Sequence, residues 1–352
     1  MNLKHKNAEV LHIVEHEKFI PPFIELVNKN LNPETHHFYF IHNGHKYPAH
    51  DFKNLTLNAE PKNIIRFIWN LRQATIKPQK IILHGLFSTK LMLALVLQPW
   101  LLKKCYWVIW GGDLYTHIIN DGDWRWKVKE FFRHILIPKI GNLITYIPGD
   151  IELARQWYGA KGIHHKCIMY PSNTFQSLPQ ETTTKSNINI LLGNSADSSN
   201  NHEDIIYRLT KTNTKNFLLY CPLSYGEKDY AQKIVNLGTN ALGDRFIGLR
   251  NFIPHSEYIK FLSNIDIAIF NHRRQQAMGN MISLLGMGKK VLIRTDISTW
   301  SFLQDIGVVV YDVDKLELST IPKEISINNI RIIKNTFSID TLLTDWKTIC
   351  EQ

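Results

Sequence analysis

Asn187-Ile188-Asn189-Ile190-Leu191-Leu192-Gly193-Asn194-Ser195-Ala196-Asp197-Ser198-Ser199-Asn200-Asn201 runs an apolar segment of strand length into a glycine and then into eight small residues, all polar but Ala196. A helical pattern resumes after them. Open α/β sheets hold phosphate with this succession of strand, glycine turn and helix start, because backbone N–H groups and the helix N-terminus supply partial positive charge there. The same residues also fit a plain β–α loop in which Gly193 only turns the chain. What lies on either side decides how the stretch is used.

On the N-terminal side the pattern predicts strands at Val10–Val14, Phe38–Ile41, Lys80–Leu83, Cys105–Trp110, Asn142–Tyr146 and Lys166–Tyr170. Helices are expected at Pro21–Asn30, Asn63–Ala74, Thr89–Leu97, Trp124–Pro138 and Pro148–Tyr158. On the C-terminal side, strands at Asn216–Cys221, Phe246–Gly248, Ile265–Phe270, Val291–Arg294 and Val308–Tyr311 alternate with helices. One of these starts near Pro254 with Ser256 or His255 as its expected cap; others span Met278–Gly288 and Ser338–Cys350. Pro171 to Asn187 is rich in Ser, Thr, Pro and Gln without periodicity and reads as a linker. Strand–helix alternation in both halves implies an α/β protein of two doubly wound, Rossmann-like domains. The boundaries are 1–175, 186–335 and a C-terminal helix, 336–352, placed to pack back on the N-terminal domain. Ligands of such sheets bind beyond the carboxyl ends of the strands, so two domains facing a cleft would share one site.

The chain has 352 residues, 44% of them hydrophobic and 20% charged, which is the composition of a folded globular protein. Its net charge of +10 is uneven. Residues 1–170 hold 22 Lys and Arg against 13 Asp and Glu, whereas the remainder holds 19 against 18. An anionic partner of the N-terminal half is expected, and the absence of a helix-turn-helix or RNA-recognition signature argues against nucleic acid. Cys105, Cys167, Cys221 and Cys350 lie far apart and read as thiols of a reducing compartment. The N-terminus lacks the apolar core of a signal peptide. The longest apolar stretch, Leu91 to Leu102, is too short to span a bilayer. A cytosolic protein, or one lying on a membrane, follows.

Several polar clusters fall at carboxyl ends of expected strands. Asn271, His272, Arg273, Arg274, Gln275 and Gln276 emerge from the strand Ile265–Phe270, and Gly279-Asn280 then opens a helix. Two guanidiniums beside a helix N-terminus suit a diphosphate, since Arg binds phosphate oxygens in a fork. Gly193, Asn194, Ser195 and Asn200 of the opening stretch join them as donor-binding candidates. Tyr225, after another strand, is placed to stack on a base or to fill the core. Asp113, following Trp110-Gly111-Gly112, is a candidate for acid–base work or a helix cap. His84, before Gly85, is a candidate base or a phosphate donor. The helix with Trp124, Arg125, Trp126, Lys127 and Lys129 mixes aromatics with cations, the composition of a lipid interface. The adjacent pairs His36-His37 and His164-His165 cannot chelate from one helix face, and HExxH is absent, so no metal is expected.

His84-Gly85 before an apolar helix, Trp107-x-Ile-Trp-Gly-Gly-Asp-Leu-Tyr115, Leu192-Gly193-Asn194-Ser195-x-Asp-x-Ser199-Asn200-x-His202 and Arg274-Gln275-Gln276-x-x-Gly279 together resemble the 4-acetamido-4,6-dideoxy-D-galactose (Fuc4NAc) transferase family of enterobacterial common antigen and O-antigen synthesis. The resemblance covers roughly residues 80–310. The family more often has Ala at Gly112 and Gly at Ala196. The resemblance implies a GT-B glycosyltransferase whose C-terminal domain binds a dTDP-sugar. The N-terminal domain would then meet an undecaprenyl-diphosphate-linked saccharide at the cytoplasmic face of the inner membrane, with the enzyme peripheral to the bilayer. Asp113 or His84 would assist the acceptor hydroxyl and the arginine loop would neutralise the leaving diphosphate, without metal or other cofactor. Two alternatives stay open on the residues: a non-catalytic sugar-nucleotide- or polysaccharide-binding protein on this fold, and a phosphotransferase using a CDP-linked polyol.

Overall fold

The computed structural model describes residues 8–41, 52–57, 63–119, 123–176 and 187–351. The chain forms two compact units, residues 1–172 together with 339–352, and residues 173–338. The first therefore closes with the C-terminal helix, Ile339–Glu351, rather than with the linker. Most of the expected linker, 177–186, lies outside the described residues.

The first unit contains β1 (Val10–Val14), α1 (Ile20–Asn30), β2 (His36–Phe40), β3 (Leu55–Leu57), α2 (Ile64–Thr75), β4 (Lys80–His84), α3 (Thr89–Val96), β5 (Cys105–Val108), α4 (Gly112–Tyr115), α5 (Trp124–Leu136), β6 (Asn142–Ile144), α6 (Pro148–Tyr158) and β7 (Ile163–His165). Its strands form one parallel sheet in the order β3-β2-β1-β4-β5-β6-β7. Parallel strands are covered on both faces, which is why they read as continuous apolar runs. The register pairs Val10 with His36 and with Lys80, and His12 with Phe38 and with Ile82. Leu11, Ile13, Tyr39, Ile81 and Leu83 therefore share one face and pack with residues of α2 and α3. His12, His36 and His84 share the other, under Phe23 of α1 and Trp346 of the C-terminal helix. Trp346 is fully buried and its indole N–H donates to the Met169 carbonyl at 2.8 Å. Lys80 Nζ meets the Ile349 and Cys350 carbonyls, both at 2.8 Å, and so satisfies acceptors that every helix C-terminus leaves open.

The second unit comprises β8 (Ile188–Leu192), α7 (His202–Thr210), β9 (Phe217–Pro222), α8 (Lys228–Leu242), β10 (Phe246–Leu249), α9 (His255–Ser263), β11 (Ile267–Phe270), α10 (Met278–Gly286), β12 (Lys290–Ile293), α11 (Ser298–Asp305), β13 (Tyr311–Asp312) and α12 (Lys323–Thr336). Its parallel sheet runs β10-β9-β8-β11-β12-β13. In each sheet the strand order reverses once, between β1 and β4 in the first and between β8 and β11 in the second. Connections leave in opposite directions at such a point, and a crevice opens at the carboxyl ends of the two strands.

Three sequence expectations change. The last strand of the first sheet is Ile163–His165, not Lys166–Tyr170, because 163–165 pairs with β6 while Met169 adopts a positive φ of 73° that no strand accommodates. Val308–Tyr311 shortens to Tyr311–Asp312. The buried Asn329 side chain satisfies the Val309 N–H and carbonyl, both at 2.9 Å, in place of a neighbouring strand. Helix α9 starts at His255 with Pro254 in the cap position, and neither His255 nor Ser256 caps it.

Candidate functional site

At the switch point of the second sheet, β8 ends at Gly193 with φ +68°, a backbone conformation that glycine adopts at little cost. A side chain there would also collide with Asn200 Oδ1 and His202 Nε2, each 2.6 Å from the position of a Cβ. Asn200 is fully buried and uses its whole amide on the protein. Its Oδ1 accepts the Asn194 N–H at 2.9 Å and His272 Nε2 at 2.7 Å, and its Nδ2 donates to Ser195 Oγ and the Asp197 carbonyl. These bonds organise the loop. Because Asn200 Oδ1 only accepts, His272 carries its hydrogen on Nε2; burial holds that ring neutral, well below the usual histidine range.

Asn194 faces the other way. Its Nδ2 donates to Tyr225 Oη and its Oδ1 accepts from Gln276 Nε2, both at 3.0 Å. Gln276 Oε1 in turn accepts from Ser199 Oγ at 2.9 Å. Asn194, Ser199, Tyr225 and Gln276 thus join the loops after β8, β9 and β11 into one polar floor. Beside it, helix α10 begins after Ala277, whose φ of +60° turns the chain into the helix. Arg273 is exposed and Arg274 half-buried in the loop leading there. The remaining expected residues have protein partners or are buried. Asn271 donates to Asp204 Oδ2, Asn280 to Tyr258 Oη, Gly279 accepts from Ser283 Oγ, and Gln275 lies buried. Asn271 Oδ1 and Gln275 Oε1 are buried and have no hydrogen-bond partner among the described residues.

In the first unit Asp113 stands where the sequence put it, at the start of α4 after Gly111, and it is fully buried. Its Oδ2 accepts Trp107 Nε1–H at 2.7 Å and the Leu86 N–H at 3.0 Å; its Oδ1 accepts the N–H groups of Trp110 and Leu114 at 3.0 and 3.1 Å. Burial raises its pKa, and the Trp107 bond opposes that most. Four donors on one carboxylate leave no lone pair aimed at a substrate. These bonds join the β4–α3 and β5–α4 turns and favour the helix-start alternative of the sequence reading for Asp113. Arg133, 1% exposed, adds to the junction: its Nη2 donates to the Leu86 carbonyl at 2.9 Å and its Nη1 to Glu130 Oε2 at 3.3 Å. Glu130 also meets His117 Nδ1 at 3.0 Å and His134 Nε2 at 3.8 Å. Among the described residues this is the grouping whose ligand atoms would fit a metal ion. Spacing alone offers only Glu130-x-x-x-His134, which a search for paired histidines passes over.

His84, at the end of β4, is also buried, with its pKa lowered by desolvation to about 3. Its Nδ1 meets Tyr170 Oη at 2.5 Å, and the half-buried Trp110 donates Nε1–H to the same oxygen at 2.8 Å. On its other side His84 Nε2 meets His12 Nδ1 at 3.0 Å, and His12 Nε2 meets His36 Nδ1 at 3.0 Å. Sequence reasoning found His84 but not His12, His36 or Tyr170. Two of these sit inside apolar strands and the third in a segment read as a strand.

On α5, Trp124 is 67% exposed, with Arg125 over its ring at 5.9 Å, and Lys127 is exposed. Trp126 is not: its indole donates to the Thr116 carbonyl at 2.8 Å, so it anchors the helix rather than facing outward. Lys129 is half-buried.

Two parallel Rossmann-like sheets in one chain, each with a polar site at its switch point, define a GT-B-type glycosyltransferase fold. Solved structures agree over nearly whole chains. Sucrose-phosphate synthase from Thermosynechococcus elongatus superposes with a TM-score of 0.68 at 11% identity, covering 98% of this chain and 99% of its own. Anabaena Alr3699/HepE in complex with UDP-glucose gives 0.66 at 10% identity over 97% and 99%. WaaG, a glycosyltransferase involved in lipopolysaccharide biosynthesis, gives 0.64 at 9% identity over 97% and 98%. Residues 5–350 match the family described as 4-alpha-L-fucosyltransferase, glycosyl transferase group 56, and the chain belongs to that family. It is a glycosyltransferase, which sets aside the non-catalytic and CDP-polyol alternatives.

Proposed function

We propose that the enzyme transfers a 4-acetamido-4,6-dideoxyhexose, Fuc4NAc or a close relative, from a dTDP-sugar to an undecaprenyl-diphosphate-linked saccharide in bacterial surface polysaccharide synthesis. The observation that carries this reading is the bonded floor of Asn194, Ser199, Tyr225 and Gln276 at the β8/β11 switch point. It offers amides, hydroxyls and one aromatic ring beside Arg274 and the start of α10, a set that suits a nucleoside diphosphate. The family name denotes transfer of a 6-deoxyhexose, and the Anabaena relative was crystallised with a nucleotide sugar, UDP-glucose. The choice of dTDP and of the acetamido sugar rests on the Trp-Gly-Gly-Asp-Leu-Tyr and Gly-Asn-Ser motifs of the sequence.

The acceptor reading rests on the first unit. Helices α2, α3 and α5 cover one face of its sheet, and their outer sides expose Ile65, Trp69, Trp124 and Phe131 with Arg66 and Lys127 between them. Aromatics interleaved with cations on the more basic half of the chain suit an anionic bilayer surface, where a lipid diphosphate lies. Among the described residues no helix is long and apolar enough to cross a membrane, and peripheral attachment needs none. Transfer requires that the acceptor hydroxyl lose its proton. Asp113 is fully engaged, and His84 reaches outward only through Tyr170 Oη, itself 4% exposed, which is the proposed first acceptor of that proton.

A thermal-shift panel of dTDP, UDP, GDP and CDP, followed by turnover of dTDP-Fuc4NAc with a short-chain polyprenyl-diphosphate saccharide, tests the proposal. Stabilisation by dTDP above the others, with turnover that persists in excess EDTA, is expected. Preference for another nucleotide refutes the donor, and loss of turnover in EDTA with rescue by magnesium or manganese refutes the metal-free mechanism.

A further inference from the structure

Burying three histidines beneath a parallel sheet is costly unless every ring nitrogen facing the core is bonded. Here the strand register arranges the bonding. His36 lies level with Val10, His12 two residues further along β1, and His84, ending β4, two further again. Each step moves about 6.6 Å along the strands and one strand across, on the same face. The result is a diagonal of rings from the amino edge of the sheet to its carboxyl edge. At the amino edge His36 lines an open cavity of about 360 Å³ together with Glu9, Thr35, Lys80 and Glu351. At the carboxyl edge the diagonal ends on Tyr170 Oη beside Trp110.

We propose that His84, His12 and His36 form a proton relay that carries the acceptor hydroxyl's proton from Tyr170 through the sheet to water at the His36 cavity. The proposal rests on the reading of Tyr170 and His84 as the proton acceptor of glycosyl transfer. Trp110 Nε1–H can only donate, so it occupies one lone pair of Tyr170 Oη, and the tyrosine hydrogen points to His84 Nδ1. His84 then carries its hydrogen on Nε2 and donates to His12 Nδ1; His12 donates from Nε2 to His36 Nδ1. This assignment leaves no bond in the chain without a hydrogen and needs no charged ring. Desolvation favours neutral rings throughout, lowering His12 well below the usual range and His36 to about 4, where nearby Lys80 also contributes.

During transfer the anomeric C1–O bond breaks and its electron pair leaves on the diphosphate oxygen, while the acceptor oxygen bonds C1. The acceptor's proton passes to Tyr170 Oη as the tyrosine proton moves to His84 Nδ1, the His84 Nε2 proton to His12 Nδ1 and the His12 Nε2 proton to His36 Nδ1. The His36 Nε2 proton enters water in the cavity. The chain resets when a water-borne proton re-enters at His36 Nε2 and the hydrogen on Tyr170 passes to the diphosphate product, so the relay lends the proton to the cavity during bond formation and the acceptor's proton ends on the leaving group. A lone His84 with its lowered pKa would be a weak base. A relay avoids that weakness because no ring has to hold the proton.

Two measurements test it. Histidine-labelled protein observed by nitrogen NMR at pH 7.5 needs no substrate. Neutral Nε2–H rings are expected at all three positions, and a charged ring or one of opposite tautomer among the three would overturn the relay. In the turnover assay above, His36→Ala, more than a ring diagonal away from Tyr170, is expected to lower kcat about tenfold or more, within the range of lost proton transfer. KM for the donor should hold within about twofold, and the solvent deuterium isotope effect should change. Added imidazole should restore kcat, whereas pyrrole, a ring of similar size without a basic nitrogen, should not. Unchanged kcat, no rescue, or equal rescue by both rings would make the diagonal purely structural. If His36→Ala melts below the assay temperature, His36→Asn, which keeps an acceptor for His12 Nε2–H, takes its place. Wild type inert toward dTDP-Fuc4NAc would refute the donor reading, and the NMR measurement could still overturn the relay by finding a charged ring or one of opposite tautomer. Tyr170→Phe turning over normally would refute the base reading itself.

Discussion

Lowering the pH from 8 to 5 should destabilise the first unit, and the histidine diagonal sets the size of the effect. His84 titrates near 3 and His36 near 4 in the folded chain, because burial disfavours the imidazolium, against about 6.5 when unfolded. A depressed folded-state pKa means that the unfolded chain binds more protons in this window, so stability rises with pH. The contribution is complete above about pH 6.5 and is lost as pH falls toward the folded values. At pH 5 each of the two rings costs about 2 kcal/mol relative to pH 8 from that linkage, or about 4 together. The costs add because the native rings all remain neutral while the unfolded ones titrate independently. His12 acts in the same direction. Asp113, raised by burial, acts in the opposite one over the range just above its unfolded value. Against a typical domain stability of about 5–15 kcal/mol, a loss of 4 or more is decisive. Eight of the nine tryptophans lie in the first unit, with only Trp300 in the second, so urea titrations followed by indole fluorescence report on it. The unfolding free energy should fall by about 4 kcal/mol or more between pH 8 and 5, and His36→Asn should remove about half of that dependence. A flat profile, or one that His36→Asn leaves unchanged, would show that these rings are not held neutral.

The other expectations follow from single contacts. Arg274→Ala should weaken dTDP binding by about 1.5–3 kcal/mol, the range for a charge-assisted bond, measured by calorimetry; unchanged affinity would remove this loop from the diphosphate site. Asp113→Asn turns an NH₂ toward two N–H donors in a buried site. It should cost about 3–5 kcal/mol and lower the melting temperature by several degrees, where a catalytic base would lose turnover at unchanged melting temperature. The protein should sediment with anionic liposomes at low salt and be released at high salt. Replacing Trp124 with Ser and Arg125 and Lys127 with Glu should abolish that binding while a soluble short-chain acceptor is still used, and equal sedimentation would take α5 off the membrane.

The alternation of apolar runs with 3.6-period segments made both sheets legible, since a parallel strand covered on both faces announces itself by its composition. Where tertiary partners replaced local pattern, the reading slipped. Residues 166–170 look like a strand, but a positive φ at Met169 and the partners of 163–165 place the edge elsewhere. Val308–Val310 has strand composition, and the Asn329 side chain takes the ladder's place. In the second sheet the Gly193 loop and the Arg273–Asn280 segment were visible because glycine, arginine and amides follow apolar strands without interruption. What the spacing could not show was which amides face outward. Asn194 and Asn200 lie six residues apart in the same loop; one joins the floor and the other is spent on the loop backbone and on the buried Ser195 and His272 side chains. The His12–His36–His84 diagonal was invisible because its members are separated by 24 and 48 residues and meet only through the register of three strands.

Asp113 shows why one motif can serve two arrangements. An aspartate after two glycines at the carboxyl edge of a sheet is what a general base requires, and it is equally what a clamp between two turns requires. The sequence signal is the same because the difference lies in donors contributed from elsewhere, Leu86 from the preceding turn and Trp107 from the strand. A group that takes a proton from a substrate must keep an acceptor position after the protein has been satisfied. The carboxylate of Asp113 receives four N–H groups and keeps none for that purpose. Tyr170 Oη has two lone pairs and one hydrogen. Trp110 takes one lone pair and His84 the hydrogen, so among the described residues one acceptor position is left, at the carboxyl edge where the sheet's order reverses. On the function proposed above, that position is the one an acceptor hydroxyl would use.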